Sequence, residues 1–224
     1  MYVVSDTKQE QAYQAIRSRI IEGDYLPGHR LVIDTLAREL GVSGVPVREA
    51  FRRLEAEGLI VFAPNVGAQV ATHSAARWHE ILSALAVVEA YATADAAPHL
   101  EAADLAALRE TNAAMLAAIE DLEVGEAGNA NRRFHALIVD RCPNAYLAGL
   151  VRQAWDQLDL IRHAGFSFLP KRGRVSVGEH DELLALIERD PDDHDAIEKL
   201  ARQHRQRTIE AYLRERARTE AARA

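Results

Sequence analysis

The chain has 224 residues, a formal net charge of −7, and 48% hydrophobic residues against 6% aromatic ones. This length suffices for one large or two small domains with a buried core, and the plentiful Ala, Leu, Arg and Glu favour helices. The single cysteine, Cys142, excludes an internal disulfide framework and a multi-thiolate zinc site. No signal peptide and no apolar run of membrane-spanning length are recognised, which predicts a cytoplasmic protein without a membrane partner.

The first part of the chain predicts three helices. Amphipathic spacing indicates a helix over Thr7–Glu22, and a short one over Asp34–Leu40 that Gly41 would end in a left-handed conformation. Ser43 suits an N-cap, because its hydroxyl can accept a hydrogen bond from a free amide of the helix Val45–Glu57 that follows.

A β-hairpin is predicted directly after these helices. Leu59–Phe62 and Ala68–Ala71 alternate as strands do, and the segment Ala63–Gly67 between them has the composition of a turn. Two short helices, a tight turn and a hairpin wing are the parts that place one helix in the major groove of DNA. The pattern therefore predicts a winged helix-turn-helix.

Net charge alone would not indicate DNA binding. Residues 1–72 contain eight Lys and Arg against nine Asp and Glu, so phosphate contacts would have to come from local clusters. The candidates are Lys8, Arg17 and Arg19 on the first helix and Arg48, Arg52 and Arg53 on the third.

The remainder of the chain shows helical periodicity only, from about Arg77 onward. Six antiparallel helices are predicted, which implies a bundle. Their approximate bounds are residues 75–96, 103–125, 126–141, 145–165, 171–189 and 192–218. We expect a DNA-binding domain over residues 1–73 and an all-helical domain over 74–224, to which the family resemblance described below assigns effector binding and dimerisation.

Three of the nine histidines lie on the apolar faces of separate predicted helices: His135, His180 and His204. A single buried histidine is more often a hydrogen-bonded core residue than a ligand. Three inward imidazoles on different helices make a shared metal site plausible, because imidazole nitrogens suit zinc, nickel, copper or iron.

The N-terminal motifs resemble the DNA-binding domain of the GntR family of bacterial transcription regulators. The resemblance covers about Tyr13–Ala71 and rests on Gly41–Ser43, Pro46–Ala50, Leu54, Glu57–Leu59, Pro64, Gly67 and Val70. It implies contact with double-stranded DNA by Ser43, Gly44, Val45, Pro46, Arg48, Arg52, Asn65 and Gly67. Arg48 is the strongest candidate, with an ion pair to Glu49 or Glu55 as the alternative role.

The chain departs from that family at three of these positions. Gly44 stands where an arginine that can contact guanine is usual, and Val45 stands where threonine is frequent. The wing tip has Asn65 and Val66 where a basic residue is common. We therefore expect a different or less stringent operator.

The helical part resembles the ligand-binding domain of the GntR subgroup named after FadR, in its shorter, VanR-like branch. The resemblance implies a divalent metal, most often zinc or nickel, and a small carboxylate effector held with its help. The implied ligands are Asn131, His135, His180 and His204.

Two departures concern this site. Asn131 stands where the family usually has Asp, and an amide brings no negative charge to a metal. Leu85 stands where the family often has an arginine that anchors a carboxylate, so Arg133 and Arg162 become candidates for effector binding.

These features favour a bacterial, ligand-responsive repressor that binds a short inverted repeat as a homodimer. A metal-dependent enzyme is one alternative, although the residues three before His135, His180 and His204 are not glutamates as in di-iron bundles. A constitutive DNA binder with a purely structural metal is the other.

Overall fold

The computed structural model describes residues 7–63, 66–72, 75–163 and 170–221. Its N-terminal part contains three helices and three short strands. They are α1 (Lys8–Ile21), β1 (Arg30–Leu31), α2 (Ile33–Leu40), α3 (Gly44–Ala56), β2 (Ile60–Ala63) and β3 (Gly67–Val70). The winged helix-turn-helix is confirmed, with helix bounds within about two residues of those predicted.

The helix ends follow from local chemistry. The Thr7 hydroxyl accepts a hydrogen bond from the Glu10 amide at the start of α1, and Gly41 ends α2 in a left-handed conformation with φ 65°. Ser43 occupies the N-cap position of α3 with extended backbone, but its hydroxyl makes no capping hydrogen bond. The predicted capping bond is therefore wrong, although the predicted position is right.

The sheet has three strands in the order β1–β3–β2, all antiparallel. Sequence analysis predicted only the hairpin, because the two residues of β1 are too few to show an alternating pattern. Gly67 begins β3 with φ 94°, which agrees with its predicted role in a tight wing turn. The core beneath the sheet includes the fully buried Ile16, Phe51 and Leu54.

The C-terminal part is helical. It consists of α4 (Ala75–Ala96), a 3-10 turn (Ala97–His99), α5 (Ala102–Glu120), α6 (Val124–Val139), α7 (Ala145–His163), α8 (Pro170–Arg189) and α9 (His194–Ala221). Six long helices were predicted, and six are present in the described part of the chain. The predicted continuation of α5 to Gly125 is wrong, because the backbone turns at Leu122, which has φ 63°.

The chain divides into two compact units. One contains the described residues up to Trp78 together with α7 from Asp156 onward, and the other contains His79–Trp155 together with α8 and α9. Helix α7 thus contributes residues to both units.

The segment Arg77–His99 is long and apolar enough to cross a membrane by length and composition alone. The expectation that no apolar run reaches this length was therefore wrong. However, 61% of its most apolar window is buried inside the protein, and its inner face carries the buried carboxylate of Glu89. These are properties of a core helix in a bundle.

Candidate metal centre and DNA-reading surface

Three histidines meet in the interior of the helical unit. His135 is on α6, His180 on α8 and His204 on α9, and all three are buried. Their nearest ligand atoms lie within 4.8 Å of one another, and the imidazole centroids are 4.9–5.3 Å apart. The predicted convergence of the three side chains is confirmed.

Each imidazole is oriented through its Nδ1 atom by an acceptor on another part of the bundle. His135 Nδ1 lies 3.3 Å from Glu89 Oε1, His180 Nδ1 lies 2.9 Å from Asn112 Oδ1, and His204 Nδ1 lies 2.7 Å from Glu179 Oε2. In a neutral imidazole, a proton on Nδ1 leaves the lone pair on Nε2. With the proton on Nδ1, each ring would have its lone pair on Nε2.

Two of these Nε2 atoms are buried without a hydrogen-bond partner, those of His135 and His180. A buried polar atom without a partner is costly unless something else satisfies it. Three Nε2 lone pairs close together, each fixed by an acceptor behind it, are the donor set of a transition-metal site. The residues present thus fit a metal ion.

The acceptors behind the histidines are themselves held by buried arginines. Arg205 donates to both Glu89 oxygens, at 2.6 and 2.9 Å, and Trp155 Nε1 donates to Glu89 at 3.1 Å. Arg172 donates to Glu179 at 2.5 Å. These bonds supply the partners that a carboxylate needs when it is buried inside a bundle.

The electrostatics keep all three imidazoles neutral. Burial, followed by the charge of Arg205, lowers the pKa of His135 well below its usual value, and burial likewise lowers the pKa of His180. Burial also lowers the pKa of His204 to about 4, despite the opposing hydrogen bond to Glu179. Burial alone would raise the pKa of Glu179, but the bonds from His204 and Arg172 outweigh it and lower that pKa to about 2. Neutral imidazole is the form that binds metals.

The winged helix-turn-helix from α1 to β3, called the DNA-reading unit below, places its predicted contact residues around the start of α3. Gly44, Val45 and Pro46 form the first turn of that helix, and Val45 is 63% exposed although it is apolar. Arg48 is exposed one turn further on. Ser43 and Gly67 are also exposed, whereas Asn65 and Pro64 lie outside the described residues.

The predicted phosphate-contact arginines differ in their partners. Arg52 pairs with Glu49 at 3.0 Å, and Arg53 pairs with Glu10 at 2.9 Å and with Glu57 at 3.2 Å. Two more pairs are Arg17 with Asp156 and Arg19 with Glu39. Arg48 makes no ion pair with any described residue, so the alternative role as a partner of Glu49 or Glu55 is not observed.

Comparison with known proteins identifies both parts of the chain. Residues 8–70 match the model of the bacterial regulatory proteins of the gntR family, and residues 80–207 match that of the FCD domain. The second match alone covers more than half of the chain. The chain belongs to the GntR family. It is a DNA-binding transcription regulator of the FadR-like subgroup and not an enzyme, so the alternative of a metal-dependent enzyme is wrong.

Curated relatives and solved structures agree with this assignment. The chain is 30% identical to the transcriptional regulator McbR of Escherichia coli over 79% of its length and 80% of McbR. It is also 30% identical to the uncharacterised regulator YdhC of Bacillus subtilis, over 80% of each. The solved structure described as E. coli McbR/YncC has the same fold, with a TM-score of 0.76 over 94% of this chain and 99% of that one at 24% identity.

The remaining predicted site residues of this GntR regulator are placed as follows. Asn131 lies on α6 one turn before His135 and is partly exposed. Arg133 is exposed and lines an open groove with Glu110 and Glu126, and the lining of that groove includes no triad histidine. The side chain of Arg162 lies outside the described residues.

Sequence analysis did not find the groups that orient the histidines. Asn112, Glu179, Arg172 and Arg205 gave no periodic signal of their own. Glu89 did give a signal, because a carboxylate on the inner face of a long apolar helix needs a buried partner. That signal was not used. Glu179 and Arg205 also stand directly beside His180 and His204 in the sequence.

Proposed function

We propose that this GntR regulator is a repressor whose operator affinity is controlled by a small organic acid bound at or near a metal in the helical unit. The observation that carries the proposal is the buried triad of neutral imidazoles, in which the Nε2 atoms of His135 and His180 have no hydrogen-bond partner. Without a ligand, each buried nitrogen that lacks a hydrogen-bond partner would lower the stability of the fold. A bound metal ion would satisfy these nitrogens.

The metal is a divalent transition ion, most often zinc or nickel, held by His135, His180 and His204 with Asn131 as a weaker fourth ligand. Three imidazole nitrogens with an open position are typical of sites that also bind an exogenous ligand. The carboxylates of Glu89 and Glu179 support this, because acceptors behind ligating histidines fix the ring orientation and strengthen the donor nitrogen.

The charges of the site favour an anionic effector. Glu89 and Glu179 are balanced by the buried Arg205 and Arg172, and the three imidazoles are neutral. A divalent ion would therefore add a charge of about +2 that none of these described groups offsets, and an amide at Asn131 offsets none of it. A carboxylate bound to the metal would supply the missing negative charge.

The DNA-reading unit binds the operator. We infer that Ser43, Gly44, Val45, Pro46, Arg48, Arg52, Asn65 and Gly67 lie at the operator, and that two copies of the chain bind a short inverted repeat as a homodimer. Effector binding would change operator affinity only through different affinities for the two states of the dimer.

The finer assignments follow the same reasoning. A division near residue 73 separates the two functions, and six long helices support placement in the shorter, VanR-like branch. A regulator that binds chromosomal DNA in a bacterium works in the cytoplasm.

The first test is the metal content of the purified protein, measured beside His135→Ala and a control, His99→Ala, which removes an exposed histidine outside the triad. We expect one transition-metal ion per chain in the wild type and the control, and none in His135→Ala. Absence of metal from all three proteins after incubation with zinc or nickel would contradict the metal site.

The second test measures affinity for an operator obtained by in-vitro selection, with and without a panel of small mono-, di- and hydroxycarboxylic acids. At least one acid should weaken DNA binding by the metal-loaded protein and leave metal-free protein unaffected. If chelation unfolds the helical unit and no acid changes affinity, the protein is a constitutive DNA binder with a structural metal.

A further inference from the structure

A groove lies in the DNA-reading unit between the recognition helix α3 and the wing. It is bounded by β1, the first turn of α2, α3 and the β2–β3 hairpin. Two arginines line it from opposite elements, Arg30 from β1 and Arg48 from α3, and both are exposed. Gly67 lines it from the wing, and Phe62 provides an apolar wall.

The arginines of this unit fall into two groups. Arg17, Arg19, Arg52 and Arg53 form ion pairs with carboxylates, which neutralise them in the free protein. Arg30, Arg38 and Arg48 make no ion pair with any residue that the structure describes. Of these three, only Arg30 and Arg48 line the groove. Two positive charges thus share one concave surface beside the recognition helix.

The backbone of Arg30 is fixed in place. Arg30 pairs with Gln69 in the antiparallel ladder of β1 and β3, and the Gln69 side chain donates to the Gly28 carbonyl at 3.2 Å. The backbone from which the Arg30 side chain extends is therefore ordered by the sheet. This lowers the conformational entropy that is lost when the guanidinium binds a ligand.

We propose that Arg30 and Arg48 together bind one backbone phosphate of the operator in this groove, with Arg30 as a DNA contact that the sequence motifs do not indicate. The proposal rests on the DNA-binding function and deepens it. Arg30 lies on a strand outside the helix that enters the major groove, so its contact is with the sugar–phosphate backbone and not with a base edge. A planar guanidinium is suited to phosphate because it can donate two parallel hydrogen bonds.

A carboxylate in the same groove opposes the phosphate. Asp34 lines the groove from the first turn of α2 and is exposed. Its negative charge reduces the attraction that the two arginines exert on a phosphate, so Asp34→Asn should strengthen binding to any duplex.

The test compares Arg30→Gln with Arg38→Gln in full-length protein, on the selected operator and on a duplex of unrelated sequence. Arg38 is the matched control because it is exposed and without an ion pair, but lies outside the groove. Each phosphate that is no longer neutralised reduces the magnitude of the slope of log affinity against log salt by about 0.9. A dimer of Arg30→Gln should therefore lose a measurable part of about 1.8, and the double variant Arg30→Gln with Arg48→Gln should lose all of it. The Arg38→Gln slope should equal that of the wild type.

Two further variants keep the test decisive. Arg30→Lys retains the charge and should retain the wild-type slope, and Asp34→Asn should raise affinity for both duplexes. An unchanged slope in Arg30→Gln, or a loss confined to one sequence, overturns the phosphate contact while leaving DNA binding intact. Failure of the wild-type protein to bind any duplex overturns the DNA-binding function itself.

Discussion

In the DNA-reading unit, arginines lie at the surface and several keep their charge available to a ligand, whereas in the helical unit Arg172 and Arg205 lie in the interior, each against a carboxylate. An exposed ion pair contributes little to stability, because water already solvates both partners. A buried pair must be complete, because either partner alone is a desolvated charge. The exposed arginines of the DNA-reading unit are therefore available to bind DNA. The buried ion pairs of the helical unit hold the histidine site in position.

The largest effect is expected from breaking a buried pair. Glu89→Leu leaves Arg205 buried without its carboxylate, so the free energy of unfolding should fall by about 3–5 kcal/mol in urea denaturation. The double variant Glu89→Leu with Arg205→Met should recover most of that loss, because neither charge remains. Equal stability of the single and double variants would show that the pair is not the cause.

A buried tyrosine in the DNA-reading unit gives the next effect. Burial, with hydrogen bonds to the Glu57 carboxylate, raises the pKa of Tyr13 to about 12. Because the folded pKa lies above that of the unfolded chain, the associated stability is complete below pH 10 and is lost as the pH rises through 12. We expect the free energy of unfolding to fall by about 2–3 kcal/mol between these pH values.

The control for this pH dependence is built from two variants. Tyr13→Phe should lack this part of the decline in unfolding free energy between pH 10 and 12. Tyr146→Phe, which removes a tyrosine that is 79% exposed, should decline as the wild type does. A wild-type decline in Tyr13→Phe would mean that other groups cause the loss.

A substitution at the start of the recognition helix α3 should add specificity for guanine. A Cβ at Gly44 would lie 3.4 Å from Ile33 Cγ2, an ordinary contact, so Gly44→Arg fits and adds a guanidinium at the start of α3. We expect it to favour a guanine in each half-site by about 1–3 kcal/mol in competitive binding. Gly44→Ala fills the same space without the charge, and it should leave the selected half-site unchanged.

The smallest effect concerns Asn131, the proposed fourth metal ligand. Asn131→Asp adds a negative charge one turn before His135, and should raise metal affinity by about tenfold, or 1.4 kcal/mol, in competition with a chelator. Metal binding by this variant should also depend less on a carboxylate effector, because the introduced carboxylate would supply part of the negative charge that the effector otherwise brings. Unchanged metal affinity would place Asn131 outside the coordination sphere.

The sequence predicted elements whose signals are local. Gly41 marks the end of α2 because a left-handed residue favours glycine, and the three triad histidines were found because each repeats the spacing of an apolar helix face. Strand β1 escaped prediction because two residues show no period.

The groups that position the triad could not be predicted in the same way. The pairs Glu89–Arg205 and Asn112–His180 join residues far apart in the chain, and such pairings depend on how the helices pack. Likewise, sequence alone gave Arg17, Arg19 and Arg53 as phosphate contacts, because their carboxylate partners become visible only in the fold.

The position of Trp155 gives the protein an intrinsic optical probe. Its ring centroid lies 5.6 Å from that of His135, Arg205 Cζ lies 4.5 Å from the same indole centroid, and the indole nitrogen donates to Glu89. Indole emission is sensitive to nearby charge, and the chain contains only one other tryptophan, Trp78. Binding of a metal at the histidine site should therefore change the fluorescence without any attached dye, and Trp155→Phe should remove the part of the signal that comes from the site.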